Sequence, residues 1–261
     1  MRHARVAAFS IGLGALVASP TGAGDELPSA EDYTVRVEYL FWSPQPSGQL
    51  QKGLGDLEGT LLDVEADLGL GEGNANPIRG AVRLGGAWKL RGSWSPLEFR
   101  GDVIAEQPFV YGTTVVRAGD RVLTSLLGNY VTAELEWDFV ERRQGFFGLL
   151  LGVKYFDVDA ALANGTTSSR VLETERLPIP VLGLAGRAYL HRRFSVEGEL
   201  SGLTVGDRGD VWELLVGARV HFVDRLALTG GFRKLVFEGR DERDYFNLDL
   251  GTWVFGAELS L

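Results

Sequence analysis

Along most of the chain, apolar and polar residues take turns. Between Tyr33 and Trp42, Val35, Val37, Tyr39 and Phe41 fall on one face, while Arg36 and Glu38 fall on the other. Val131, Ala133, Leu135, Trp137 and Phe139 oppose Tyr130, Thr132, Glu134, Glu136 and Asp138. Phe194, Val196 and Leu200 oppose Ser195, Glu197 and Glu199; Trp212, Leu214, Val216, Val220 and Phe222 oppose Glu213, Arg219 and His221. A period of two belongs to a β-strand with two unlike faces. Beyond the first 23 residues nothing repeats at helical spacing over three turns, so the pattern predicts an all-β chain.

The alternation predicts ten strands, over residues 33–43, 78–86, 88–103, 126–139, 145–158, 174–190, 194–204, 210–223, 225–238 and 245–261. Most run to about 10–15 residues, enough for a tilted strand to cross a bilayer, whereas strands of soluble proteins average about 5 or 6. Alternation alone also fits a soluble periplasmic β-sandwich. Charge in mid-strand on one face and large aromatics on the other favour a membrane barrel. Long connections at 44–77, 104–125 and 159–173 alternate with tight ones at 87, 140–144, 191–193 and 224. The expectation is a single closed antiparallel up-and-down transmembrane β-barrel with long extracellular loops and short periplasmic turns. A hairpin within 107–126 or an extension over 55–66 would shift the count to eight or twelve. Pro44 and Pro46 are expected to end the first strand, and Ser95-Pro96 to mark a bulge.

If the apolar faces meet lipid, the opposite faces line a lumen. Its basic residues are then Arg36, Arg83, Lys89, Arg91, Lys154, Arg187, Arg219 and Arg233; its acidic residues are Glu38, Glu134, Glu136, Asp138, Glu197, Glu199, Glu213 and Glu258. Balanced charge in a narrow space predicts a salt-bridge network, because an unpaired buried ion is costly. Such a network reads as a structural plug or as a selective constriction. Aromatics near the strand ends predict two interfacial girdles. Trp42, Tyr155, Trp212 and Phe237 would form the outer one, and Trp88, Trp137, Phe139, Phe147, Phe194 and Phe222 the periplasmic one.

Composition narrows the classes further. With no Cys among 261 residues, disulfide frameworks, thiolate metal sites and cysteine nucleophiles are all excluded. A formal charge of −9 sets nucleic acid aside as a partner. Residues 1–23 carry Arg2 and Arg5, an apolar run from Val6 to Val17 and small residues through Ala23, the layout of a secretory signal peptide. Residues 24–32 would then be a periplasmic segment and 33–261 the barrel. Removing two arginines and no acid takes the charge from −9 to −11, and the excess is expected in loops such as 56–67 and 238–244.

The last six residues, Gly256-Ala-Glu-Leu259-Ser-Leu261, resemble the C-terminal signal of bacterial outer-membrane barrels, although the final residue is Leu where Phe is usual. With Tyr39-Leu-Phe-Trp42 near the start and Thr229-Gly-Gly-Phe-Arg233 near the end, the mature chain resembles the broad class of small proteobacterial outer-membrane β-barrel proteins. That resemblance implies residence in the outer membrane of a Gram-negative bacterium, insertion by the barrel assembly machinery, and outer-membrane lipid and lipopolysaccharide as neighbours.

Little in the chain points to catalysis. Two histidines follow residue 23, and a hydrolase trio of His191, Ser195 and Glu197 can be written across the turn at 191–193. Asp63, Glu65 and Asp67 would alternate on one strand face, and Asp241, Glu242 and Asp244 crowd a loop near Asp207 and Asp210, so either set could offer oxygen ligands to a divalent cation. No cofactor fingerprint is found. The leading expectation is a non-enzymatic barrel with a structural, surface-interaction or small-solute-permeation role; a dedicated small-solute pore and a lipid-modifying hydrolase are the alternatives.

Overall fold

A computed structural model describes residues 33–53, 59–204, 209–223, 225–241 and 244–261, so the expectations for 1–23 and 24–32 lie outside the described residues. In chain order the strands are β1 (Val35–Trp42), β2 (Gln45–Gln51), β3 (Leu62–Asp63), β4 (Ile78–Gly85), β5 (Trp88–Ile104), β6 (Phe109–Tyr111) and β7 (Thr114–Val116). They continue with β8 (Arg121–Arg142), β9 (Gly145–Asn164), β10 (Arg170–His191), β11 (Phe194–Thr204), β12 (Gly209–Val223), β13 (Leu226–Asp241) and β14 (Asp244–Ser260). The main sheet runs antiparallel from β1 through β4, β5 and β8 to β14, and β14 returns to β1, with Arg36 opposite Ser260 and Trp42 opposite Val254. Because β1 and β2 both pair with β14, they occupy one position in the wall, and the closed barrel has ten strands.

All ten expected strands are present, and three local expectations are corrected. The first strand resumes past Pro44, with Pro46 opposite Leu250 of β14. Even-numbered residues of this strand direct their backbone groups away from β14, as the bonds from the Leu40 N–H to the Pro77 carbonyl and from the Trp42 N–H to Asn76 Oδ1 show. The donors that Pro44 and Pro46 lack would therefore point to the side where β4 has already ended, and no ladder bond is lost. Ser95-Pro96 is not a bulge, since the β5–β8 register passes through it unbroken, with Pro96 opposite Asn129. Bulges lie instead beside the tight turns, at Arg83/Gly85, Asp138/Val140, Tyr189/His191 and His221/Val223. Within 107–126, β6 and β7 form a separate hairpin, while residues from Arg121 onward join β8.

The outer surface of the turn-end half is a continuous apolar belt, including Tyr39, Phe41, Leu90, Leu151, Val153, Leu182, Leu184, Val216, Val220 and Phe255. A sealed wall with this exterior is a transmembrane barrel of the outer-membrane kind. The wall is taller than a bilayer. β8 has 22 residues, about twice the 9–11 that a crossing requires. Where the strands leave the membrane, the alternation changes phase. On β9 the outward series Leu149, Leu151, Val153, Tyr155 gives way to Asp157 and Asp159, while the inward series passes from Lys154 to Phe156 and Leu162. On β13 outward Phe232 is followed by Lys234 and Glu238, and inward Arg233 by Leu235 and Phe237. β9 and β13 thus turn their apolar residues outward where lipid surrounds them and inward where water does, although Leu123, Leu127, Leu172 and Leu177 stay exposed on β8 and β10.

Candidate functional site

Among the described residues the lumen gathers the charged side chains, and the phase change divides it in two. In the half nearer the tight turns, charged side chains from most of the wall strands interlock. Lys89 Nζ bridges Glu136 at 2.8 Å and Asp138 at 2.7 Å. Arg91 Nη1 donates to Glu136 at 2.7 Å, and its other terminal nitrogen reaches Glu199. Glu199 also accepts from Arg79 at 2.6 Å, and Arg79 continues to Glu38 at 3.1 Å. Arg219 then joins Glu38, Glu197 and Glu258, each at 2.6 Å. Arg187 pairs with Glu197 at 3.0 Å and Glu258 at 3.1 Å, and Arg36 lies 3.4 Å from Glu258. Above this chain of contacts, Glu213 accepts from Lys154, from Arg233 at 2.7 Å and from the Tyr130 hydroxyl at 2.5 Å.

Fourteen of the sixteen expected lumen charges therefore meet a lumen partner, and two behave differently. Arg83 sits at the turn-end rim, paired with Glu141. Glu134 is buried without an ion pair among the described residues and faces a polar cavity with about 70 Å³ of space, bordered also by Ser93, Thr132, Arg79, Arg91 and Glu199. That volume holds several waters, which would solvate the carboxylate. Sequence reasoning missed Arg79, the link between Glu38 and Glu199. The signal was present, because residues 79 and 83 share one face of a single strand.

The loop-end half is packed like the core of a soluble domain. Trp42, Leu97, Phe99, Leu126, Tyr130, Phe156, Val211, Leu235, Leu248, Leu250 and Val254 line it, and the first long connection fills it with Leu62, Val64, Leu68, Leu70 and Ala75. Backbone bonds fix that connection between β2 and β5, from the Val64 N–H to the Gly48 carbonyl, from the Gly73 N–H to the Pro44 carbonyl, and between Asn74 and Glu98 in both directions. Gly101 of β5 lets it pass: a β-carbon there would collide with the Leu68 carbonyl oxygen. The β6–β7 hairpin lies over the same end, with bonds from the Thr60 N–H to the Val110 carbonyl and from the Gly112 N–H to the Lys52 carbonyl. Asp120 anchors its base by accepting from the Arg117 N–H at 2.9 Å and Asn164 Nδ2 at 2.8 Å, and these bonds hold its carboxyl below the usual range. Burial, then the nearby Glu173, pushes the Tyr111 phenol up. Lys52 lies 2.6 Å from Glu173; burial opposes its charge, but the bond outweighs burial and the ammonium is raised.

The phase change also corrects the girdle. Trp42 and Phe237 point inward, Trp42 beneath the Arg233 guanidinium at 4.4 Å and Phe237 against Phe156 and Phe246. Trp88, Trp137, Phe139, Phe147, Tyr155, Phe194, Trp212 and Phe222 lie on the outward parity of their strands. Trp94 and Trp253, missed from sequence, are outward too, and Trp94 donates to Asn129 Oδ1 at 2.9 Å.

The hydrolase trio is not assembled. His191 is the exposed last residue of β10 and its Nδ1 accepts from the Arg193 N–H, whereas Ser195 is fully buried and shares a 3.1 Å hydrogen bond with His221 Nε2. Asp63, Glu65 and Asp67 do not share a strand face. Asp63 ends β3 and caps the following turn, accepting from the N–H groups of Glu65 and Ala66 while its own N–H donates to Asp67. Of the second acidic set, residues 207 and 242 lie outside the described residues, and among those described no group of three or more metal-ligating side chains forms.

No protein-family profile and no curated protein matches this chain. Among solved structures it is similar to the outer membrane protease OmpT from Escherichia coli, at 10% identity over 87% of this chain and 97% of that one, with a TM-score of 0.49. It is similar also to the translocator domain of the autotransporter NalP from Neisseria meningitidis, at 11% identity over 87% and 88% of the two chains and a TM-score of 0.45. A third is Ail, the attachment invasion locus protein of Yersinia pestis, at 9% identity over 88% and 99% with a TM-score of 0.39.

Proposed function

We propose that this barrel is a sealed, non-enzymatic outer-membrane protein that acts through its surfaces, in membrane integrity or surface interaction, and does not pass solutes. The observation that carries the reading is the arrangement of two seals in series. An ion leaving the charged half would have to cross an apolar core into which the first connection packs, and a bare charge in such surroundings is strongly disfavoured. The burial of Ser195 supports the non-enzymatic part, since no substrate carbonyl reaches an enclosed hydroxyl. Insertion by the barrel assembly machinery belongs to the same proposal, with Gly256 and Leu259 on the closing strand and Leu261 just past its end as the signal; Leu259 and Leu261 are exposed.

Purified protein in a planar bilayer is expected to stay at background conductance, while the double substitution Leu68→Asp and Leu70→Asp, which forces the first connection out of the lumen, raises it. Steady conductance from the unaltered protein would overturn the sealed reading and favour the small-solute pore.

A further inference from the structure

The wall strands are unequal in length, and one of them is left with an open edge. β10 has 22 residues and β11 has 11. β10 pairs with β9 along almost its whole length, from Arg170 opposite Ala163 to Ala188 opposite Gly145, but its first β11 partner comes only at Leu182, opposite Gly202. Among the described residues, 170–181 therefore have a strand on one side only. The outer part of this stretch stands in water, since Arg176 and Thr174 lie opposite Asp157 and Asp159, where β9 has already left lipid. Leu172 is 64% exposed, and Leu177, opposite the inward Phe156, is still 38% exposed.

Two prolines fix the direction of the free backbone groups. Antiparallel neighbours alternate between pairs that exchange hydrogen bonds and pairs that do not. The β9–β10 register passes unbroken through Pro178 opposite Tyr155 and Pro180 opposite Val153, so the even-numbered residues of β10 form the non-bonded pairs with β9 and turn their backbone groups to the other side. The odd-numbered Tyr189 accordingly donates its N–H to the Gln144 carbonyl, on the β9 side. On the open edge Pro178 and Pro180 offer no donor, which blunts the part nearest lipid, where an unpaired N–H costs most. Leu172, Thr174 and Arg176, farther out, keep both N–H and C=O, and no backbone bond from the described residues reaches that side of them.

A run of unpaired donors and acceptors is a template for one more strand. Charge selects its kind. Glu173 shares Lys52 with Asp244, at 2.6 Å and 4.0 Å, and Glu175 has no ion pair among the described residues. A second copy of this edge would bring the same acids to it. A strand with basic residues at alternate positions would lay them beside Glu173 and Glu175 and set its other face along Leu172 and Thr174.

We propose that the open edge of β10 over residues 172–176 is a docking site for an extended, basic segment of another protein, added to the wall as a strand on the loop side of the membrane. The proposal deepens the surface-interaction reading of the barrel; its failure would leave the sealed lumen, which conductance tests, untouched.

The full chain, folded in lipid nanodiscs, is followed by amide exchange resolved by NMR. Without ligand, the amides of Leu172, Thr174 and Arg176 are expected to exchange freely, while those of Val171, Glu173 and Glu175, bonded to β9, stay protected. A short synthetic peptide alternating Lys with Val should protect the first set. The same peptide N-methylated throughout, which keeps its charge and loses every backbone N–H, should not. Thr174→Pro repeats at 174 what Pro178 and Pro180 already do, and should weaken peptide binding about tenfold with heat-modifiable mobility unchanged. Glu175→Lys leaves the backbone as it is and should weaken binding most at low salt, which keeps the test valid if the proline variant fails to fold. Absence of binding overturns the proposal, and so does equal binding of the N-methylated peptide, which would reduce the effect to charge alone. Protection of Leu172, Thr174 and Arg176 in the free protein overturns it too: constant protection would mean an edge already covered, and protection rising with protein concentration would make a second copy the occupant.

Discussion

Between Lys154 and Phe156 a single strand passes from one kind of interior to another. On the turn side the lumen is held by ions: Arg219 alone touches three carboxylates, and almost every neighbour of an ion is a counter-ion. On the loop side it is held by Trp42, Phe99, Phe156, Leu235 and the inserted Leu68 and Leu70, with scarcely a charge among them. Backbone pairing is the same in both halves, so the sheet does not choose the filling. The medium outside does. Alternation lets a strand place one residue set outward; lipid requires that set to be apolar, and whatever remains must fill the inside. Above the membrane the outward set meets water and the apolar set is free to turn in, where its burial drives packing. An ionic filling is tolerable in the lower half because nearly every charge there has a partner.

The comparison predicts unequal responses to substitution. The largest effect is expected in the ionic half. Arg219→Leu leaves Glu38, Glu197 and Glu258 facing one another without their shared cation, and unfolding in urea should show a loss of about 3–5 kcal/mol, partly restored by adding Glu197→Gln. If the single variant is neutral, the lower half is not held by its ions. Next comes the apolar half. Leu68→Ala should cost about 2–4 kcal/mol, expressed locally: protease should cleave within 59–77 sooner, while heat-modifiable mobility of the barrel persists. Collapse of the whole barrel would show that the halves fold as one unit. The smallest effect is a pH dependence at the base of the β6–β7 hairpin. Because Asp120 is held below its unfolded value, its contribution is present above the ordinary carboxylate range and is lost as pH falls through the lower folded value. Amide protection over 105–120, taken relative to the intrinsic exchange rate at each pH, should therefore fall at acid pH in the unaltered protein, and Asp120→Asn should remove that dependence.

Much of this was legible in the order of residues. Period-two alternation over long segments identifies the barrel strands, and the parity of Arg36 with Glu38, or of Glu134 with Glu136 and Asp138, assigns lumen charges strand by strand. Arg79 was within reach of the same reasoning through its parity with Arg83. The misplacement of Trp42 and Phe237 has one cause, the assumption that apolar means outward along a whole strand. Parity already set Trp42 with Arg36 and Glu38, and Phe237 with Arg233. Turn chemistry was less informative, since the effect of Pro44 depends on whether a neighbour awaits its N–H.

What the sequence determines by itself is local and periodic: strands, their two faces, their order along the chain and the identity of the charges on one face. Which arginine meets which glutamate, that the first connection lies inside the mouth, and that Ser195 finds His221 in place of His191 were decided only by closure of the wall. Closure brings together residues far apart in the chain, such as Arg79 and Glu199, and sets the level at which each strand crosses its neighbour. No repeating pattern along the chain encodes a distance across the cylinder.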